Sequence, residues 1–378
     1  MLKKISVVIG TRPEAIKMAP LIIELRKYSE LLVEICCTGQ HKTMFDEAFE
    51  SFGLKANVFM NVMKKGQSLA MLTTKLIIET EKYFYNSKPE LVLVHGDTTT
   101  AMAASLSSFY QKINIGHVEA GLRTYNIYSP FPEEFNRRTI GLYAKYHYAP
   151  TEIAKKNLIK DSINPSNILV TGNTVIDALI FTVNKFKNND ALFISLRNKF
   201  LMLLNFDIVT TQFILITAHR RENINDLISI CKAFKLLAER NRKIKFIYPV
   251  HLNPKIQKIV YEHLSGIENI LLIEPLNYID FALLMNYCRF IITDSGGIQE
   301  EAPALGKPVL VIRENSERPE AIAVGTAKLI STNIEKIIYE SQKFINDDEL
   351  IRGISALKNP YGDGKASCRI ATHIVNRL

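Results

Sequence analysis

The stretch FIITDSGGIQEEAPALGKPVLVIR, Phe290 to Arg313, decides the fold. Its apolar run Phe290-Ile291-Ile292 predicts a buried parallel strand, and Asp294-Ser295-Gly296-Gly297 predicts a tight turn. A helix follows with Gln299, Glu300 and Glu301 in its first turns. It ends near Gly306, and Pro308 leads into a second apolar strand, Val309 to Ile312. In such a strand–turn–helix–strand unit the side-chain-free turn meets a helix N-terminus. There, unpaired N–H groups and the helix dipole favour an anion such as a diphosphate. Carboxylates one turn further on would repel phosphate, so Glu301 is placed to accept hydrogen bonds from sugar hydroxyls. The unit reads as a nucleotide site. It contains neither GxGxxG nor GxxxxGKS/T, which argues against nicotinamide dinucleotides and P-loop hydrolysis.

Working outward, 378 residues suffice for two domains of ordinary size, each with its own core. The 47% apolar and 22% charged fractions are those of a soluble globular protein. No apolar run approaches the ~18 residues that span a membrane. The N-terminal apolar stretch is only Ile5 to Ile9 before Arg12 and Glu14, a first strand rather than a signal peptide, so the expected location is cytoplasmic. The five cysteines, Cys36, Cys37, Cys231, Cys288 and Cys368, are odd in number and scattered without CxxC spacing, which suits reduced, structural thiols. The net charge of +9 is spread through amphipathic helices, in runs no longer than pairs such as Lys64-Lys65. Without an aromatic-interleaved basic stripe, neither nucleic acid nor a membrane surface is the expected partner; a basic surface favours anionic substrates.

Short apolar strands alternate with helical patterns along the chain, predicting an α/β protein with parallel sheets covered on both faces. Ile5–Ile9, Val33–Cys37, Leu91–Val94, Ile113–His117, Tyr146–Ala149 and Ile168–Thr171 form a first set of strands. Phe213–Ala218, Lys245–Val250, Ile270–Ile273, Phe290–Thr293 and Val309–Ile312 form a second. The expected organisation is two doubly wound Rossmann-like domains, 1–175 and 176–360, facing across a cleft. The amphipathic helix of about 361–378, after the Asn359-Pro360 and Gly362-Asp363-Gly364 turns, is expected to pack back on the first. Ligands of such domains sit at the carboxyl ends of the strands.

The chemistry-bearing residues fall at those ends. The first strand closes in Gly10-Thr11-Arg12-Pro13-Glu14, where Pro13 suits the first helical position and Arg12 and Lys17 would point toward the ligand. The alternative is an Arg12–Glu14 pair. LVLVHGD ends at Asp97, either the N-cap of the helix after it or a functional carboxylate. Gly116-His117-Val118-Glu119-Ala120-Gly121 places Glu119 among small residues, and the proline-bracketed Ser129-Pro130-Phe131-Pro132 delivers Glu133 at a helix start. Three carboxylates at successive strand ends make an acid/base cluster. In the second domain, His219 stands between a strand end and Arg220-Arg221, suited to neutralise or protonate a departing phosphate. His251 occupies the next strand end, and Arg318 is a second cation. No Cys/His cluster has zinc spacing, no DxD pair suggests a nucleotide-bound divalent ion, and no serine elbow is present.

Taken together, GTRPEAIKMAPL, TGQH, VHGDTTT, GHVEAGLRT, SPFPEEFNRR, AHRREN, YPVHLNP, TDSGGIQEEAPALGKPVLV and ERPEA resemble the non-hydrolysing UDP-N-acetylglucosamine 2-epimerases, from residue 5 to the final NPYGDGKAS. The resemblance implies the two-domain fold shared with one class of nucleotide-sugar glycosyltransferases (GT-B). It also implies reversible inversion at C2 of the UDP-sugar substrate by elimination and re-addition of UDP through 2-acetamidoglucal, feeding surface polysaccharides. Neither a cofactor nor a metal is implied, and a homodimer is. By motif match, Asp97, Glu119, Glu133 and His219 correspond to catalytic positions. Arg12, Lys17, Phe281, Ser295, Gly296, Gly297, Glu301 and Arg318 correspond to substrate-binding ones, with Phe281 beside the uracil. Gln40, Gln67, Glu134, Arg220 and His251 correspond to contacts of a second, activating substrate molecule in some members. Gly66 departs from those members, which carry an arginine there.

Overall fold

A computed structural model of the chain describes every residue except 1, 40–44, 46, 47, 63, 65, 221, 222 and 317. It divides into two compact units, Met1–Ala178 with Tyr361–Leu378, and Leu179–Pro360.

The first unit runs β1 (Lys3–Ile9), α1 (Arg12–Leu25), β2 (Leu31–Cys37), β3 (Val58–Phe59), α2 (Leu69–Ser87), β4 (Leu91–His95), α3 (Thr99–Tyr110), β5 (Asn114–Val118), α4 (Glu133–Tyr143), β6 (Tyr146–Ala149), α5 (Glu152–Lys160) and β7 (Ile168–Val170). Every pairing is parallel, in the order β3-β2-β1-β4-β5-β6-β7. Ile5, Val7, Val8, Ile9 and Leu91 to Val94 are fully buried, as strands covered on both faces must be. Each such side chain contributes roughly 1.5–3 kcal/mol of transfer free energy. The order reverses between β1 and β4, and the loops leaving these neighbouring strands diverge to opposite faces.

The helix starts at that switch point are capped by threonines. Thr11 accepts the Glu14 N–H for α1, and Thr98 accepts the Ala101 N–H for α3. The cap reading of Asp97 is thereby corrected: Thr98 takes the cap, and the Asp97 side chain points elsewhere. Gly10 is needed for close approach, because a Cβ there would lie 2.1 Å from Thr100 Oγ1.

The chain returns to this unit through Tyr361, whose carbonyl accepts the Asn173 N–H at 2.7 Å. Asp177 then takes the Ala366 and Ser367 N–H groups at 3.2 and 2.7 Å, capping the terminal helix from another element.

Helix α6 (Thr174–Lys187) leads into the second unit. That unit continues through α7 (Asp190–Leu204), β8 (Phe213–Thr217), α8 (Leu227–Arg240), β9 (Lys245–Pro249), α9 (Pro254–Leu264), β10 (Ile270–Ile273), α10 (Tyr278–Tyr287), β11 (Ile291–Thr293), α11 (Gly296–Glu301), β12 (Val309–Val311), α12 (Pro319–Val324), β13 (Ala327–Leu329), α13 (Ile334–Asn346) and α14 (Asp348–Ser355). The terminal helix of the first unit is α15 (Ala366–Arg377). The second sheet is also all parallel, in the order β10-β9-β8-β11-β12-β13, with its switch between β8 and β11. Two strands, β3 and β13, lie outside the sequence reading. Both are sheet-edge strands of two and three residues, too short to show a pattern. Among the described residues no helix is long and apolar enough to cross a membrane.

Buried imidazoles give the first unit a pH dependence. His117 Nε2–H donates to the Gly96 carbonyl at 2.7 Å, and burial pulls the ring down to about 3. Burial likewise brings His147 to about 4. Unfolded imidazoles titrate near ~6.5, so below that pH the unfolded chain binds protons that the folded chain refuses. Stability is therefore full above pH ~6.5 and declines as pH falls toward the folded values. Urea midpoints measured between pH 7.5 and 4.5 should fall, and His117→Gln should flatten that slope; equal slopes in both proteins would contradict the assignment.

Candidate active site

Glu119 follows β5 in the left-handed region, at φ +61°, which turns its side chain back over the strand ends. Two donors from different elements meet at its Oε2, Lys17 Nζ at 2.6 Å and Asn173 Nδ2 at 2.9 Å, and His95 Nε2 stands 3.6 Å away, beyond hydrogen-bond reach. Burial alone would raise this carboxyl, but Lys17 and then His95 outweigh it and hold it well below the usual carboxylate range. Its Oε1 faces Gly96, where a Cβ would lie 3.7 Å away.

Asp97 follows β4 and behaves in the opposite sense. Burial pushes its carboxyl up, against the Arg137 guanidinium and with the help of the Glu119 charge. Arg137 Nη2 pairs with Asp97 Oδ2 at 2.6 Å, and Asn136 Nδ2 donates to the Asp97 carbonyl at 2.9 Å. Glu133 opens α4, half-buried, and its charge also acts on Asp97. The first unit thus brings the three sequence-predicted carboxylates into one electrostatic group. Lys17 belongs to it as the partner of Glu119. Arg12 is half-buried at the start of α1 and is not paired with Glu14, whose oxygens are taken by Gly10, Thr11 and Thr98.

In the second unit the switch point lies between the loop after β8 and the turn after β11. Asp294 is fully buried and accepts the His219 and Arg220 N–H groups at 2.8 Å each, with Asn223 Nδ2 at 3.2 Å. One carboxylate thereby holds His219, Arg220 and Asn223 together. Burial lowers the His219 imidazole below its ordinary value; Asp294 opposes this, and His251 and Arg220 add to it. His219 and His251 are stacked, with centroids 5.3 Å apart and planes at 4°.

The Ser295-Gly296-Gly297 turn starts α11, which runs on as a 3-10 turn, Ala302–Leu305, closed by Gly306 at φ +66°. A Cβ on Gly296 would stand 3.2 Å from Arg220 Nη2 and 4.0 Å from the Arg318 guanidinium. Two cations therefore lie over a bare backbone turn, which suits a polyanion. Arg318 is oriented by an ion pair with buried Glu300. Glu301 is half-buried beside the Tyr278 hydroxyl, and burial together with that carboxylate keeps the phenol well above its ordinary value. Phe281 is half-buried on α10.

The activator candidates separate. Arg220 joins Arg318 over Gly296. Glu134 is fully buried, accepting the Thr124 and Tyr125 N–H groups at 3.0 and 3.1 Å, so here it shapes the loop before α4. Gln67 closes a turn with Lys64, and Gly66 within it has φ +76°, which disfavours a side chain. His251 Nδ1 accepts the Asn253 N–H at 3.1 Å. Gln40 lies outside the described residues. Arg137, Asn173, His95, Glu300 and Asp294 contact the candidate residues and were not site candidates in the sequence reading. Arg137 carried a signal, since it stands one helical turn from Glu133; the others meet their partners only through strand order. Among the described residues no three His, Cys, Asp or Glu side chains gather as a metal-binding set.

Comparison with known proteins agrees in one direction. A family model described as UDP-N-acetylglucosamine 2-epimerase matches residues 23–375. The UDP-N-acetylglucosamine 2-epimerase of Campylobacter jejuni is 48% identical over 380 residues, 99% of this chain and 98% of its own. That of Salmonella typhimurium is 46% identical over 368 residues, 97% of each chain. A crystal structure of UDP-GlcNAc 2-epimerase from Neisseria meningitidis, bound to UDP-GlcNAc, has a TM-score of 0.91 at 45% identity, covering 99% of this chain and 100% of that one.

The Asp294 contacts give a direct expectation. Asp294→Ala leaves three buried or half-buried N–H donors without their acceptor, each worth ~1–3 kcal/mol when unsatisfied. Denaturant unfolding should register a loss of at least ~2 kcal/mol. A loss below ~0.5 kcal/mol would mean that the loop keeps its shape by other means.

Proposed function

The chain belongs to the UDP-N-acetylglucosamine 2-epimerase family of enzymes, and from that premise we propose that it inverts C2 of UDP-N-acetylglucosamine, reversibly giving UDP-N-acetylmannosamine. The observation that carries the reading is the pair of carboxylates at the ends of adjacent strands β4 and β5, Asp97 pushed up and Glu119 held low by Lys17 and His95. Groups whose environments drive them apart are what a proton acceptor and a proton donor require.

The C2 proton is not adjacent to a carbonyl and is barely acidic. Elimination avoids the difficulty: a carboxylate takes the C2 proton, the C1–O bond breaks with its electrons leaving on UDP, and a C1=C2 double bond forms. UDP then adds back at C1 while a proton arrives on the other face of C2. Asp97, Glu119 and Glu133 move the protons. Arg220, Arg318, His219 and the Ser295-Gly296-Gly297 turn receive the charge that UDP carries away, with Glu301 on the ribose and Phe281 beside the uracil. Arg12 and Lys17 complete the substrate contacts. For a second, activating substrate molecule the counterparts left are Gln40, Gln67 and His251, since buried Glu134 holds the loop before α4 and Arg220 lies over the Gly296 turn. The reading includes a cytoplasmic homodimer supplying mannosamine-type sugars for surface polysaccharides.

Asp97→Asn, Glu119→Gln and Glu133→Gln are each expected to lower turnover by ~100-fold or more, the usual weight of a proton-transfer group, with UDP affinity within a few-fold. Near-normal turnover in two of the three removes the carboxylate cluster.

The route itself is tested in heavy water. A proton NMR time course with UDP-N-acetylglucosamine should show deuterium at C2 of a product still linked to UDP, with a trace of free UDP and 2-acetamidoglucal on long incubation. Retention of the original hydrogen at C2 would sink the elimination. Release of free N-acetylmannosamine would assign a hydrolysing reaction instead.

A further inference from the structure

Glu14 is 2% exposed and has no part in the chemistry just described. Its Oε2 accepts the Gly10 N–H at 3.1 Å and the Thr11 hydroxyl at 2.7 Å, and its Oε1 accepts the Thr98 hydroxyl at 2.8 Å. Thr11 and Thr98 are the caps of α1 and α3. Their oxygens already accept N–H groups from Glu14 and Ala101, so their hydroxyl hydrogens are available to the carboxylate. A carboxylate can take all three donors; an amide presents an NH₂ where one of its oxygens stood. The two caps directly adjoin Arg12 and Asp97 in sequence. The same turns touch a second time where Gly10 packs on Thr100.

We propose that Glu14 is a positioning residue, a single buried acceptor that ties the cap of α1 to the cap of α3 and so sets where Asp97 stands for the reaction at C2. The inference rests on the proposed role of Asp97. It assigns Glu14 no contact with substrate. The bland alternative is a capping contact that holds two helix starts and nothing more, and the two readings separate in kinetics.

The test is steady-state epimerisation of UDP-N-acetylglucosamine by the full chain, with thermal unfolding as the control. Glu14→Gln should lower kcat by about tenfold or more, since ~1 Å of misplacement can cost ~10²-fold. KM should stay within about threefold, because Glu14 itself touches no substrate and Arg12 is one of several binding contacts. Thr98→Val should reproduce that split, and Thr98→Ser, which keeps the hydroxyl, should restore kcat to within about twofold of the parent. The double variant Glu14→Gln with Thr98→Val should be no slower than the worse single, as two halves of one contact are non-additive. Turnover within about twofold of the parent in both Glu14→Gln and Thr98→Val, or Thr98→Ser as slow as Thr98→Val, overturns the proposal. If Glu14→Gln does not fold, the valine–serine pair at position 98 decides alone. Asp97→Asn is run alongside. Normal turnover there removes the underlying reading and the positioning role with it. Loss there, with Glu14→Gln and Thr98→Val unaffected, removes only the positioning role.

Discussion

Parallel strands need crossover connections, and where the strand order reverses, two neighbouring strands send their loops to opposite faces. Both sheets of this chain reverse in the same way, between β1 and β4 and between β8 and β11. Each reversal leaves an open place at the carboxyl ends of two strands, bordered by two helix starts. The residues with chemical potential stand at these places: Arg12 and Asp97 in one unit, His219 and Ser295-Gly296-Gly297 in the other. The fully buried strands behind them fix the spacing, because their side chains are close-packed on both faces of the sheet.

The two switch points use the same fold for different electrostatics. In the first unit a lysine, a histidine and an asparagine converge on one oxygen of Glu119, while its neighbour Asp97 is pushed the other way by burial. Two carboxyl groups of similar intrinsic acidity are thus separated by their surroundings. In the second unit the buried carboxylates do not confront an anion at all. Asp294 is occupied by backbone N–H groups, and Glu300 by the Arg318 guanidinium, which it orients. Of the two acidic residues one turn after the Gly-Gly turn, Glu300 is engaged by Arg318 and Glu301 lies beside the Tyr278 hydroxyl.

Glycine has a specific use at two of these points. At Gly10 a side chain would collide with Thr100, and at Gly296 it would press against the Arg220 guanidinium. The first turn cannot carry a Cβ without displacing Thr100, whereas at Gly296 the absent side chain lets the Arg220 guanidinium lie close over the helix start.

Periodicity and turn chemistry in the sequence determined the alternation of strand and helix, the parallel sheets, and the carboxyl-end location of Asp97, Glu119, His219 and the Ser295-Gly296-Gly297 turn, since these depend on near neighbours in the chain. The edge strands Val58–Phe59 and Ala327–Leu329 were not legible, because strands so short are created by pairing with β2 and β12 rather than by their own pattern. The long-range partners of the carboxylates were decided only by the tertiary structure. Lys17 meets Glu119 across 102 positions, Asp294 meets Arg220 across 74, and Glu14 meets Thr98 across 84. Strand order brings these residues together, and strand order is set by how whole faces pack, which no local window of the sequence contains.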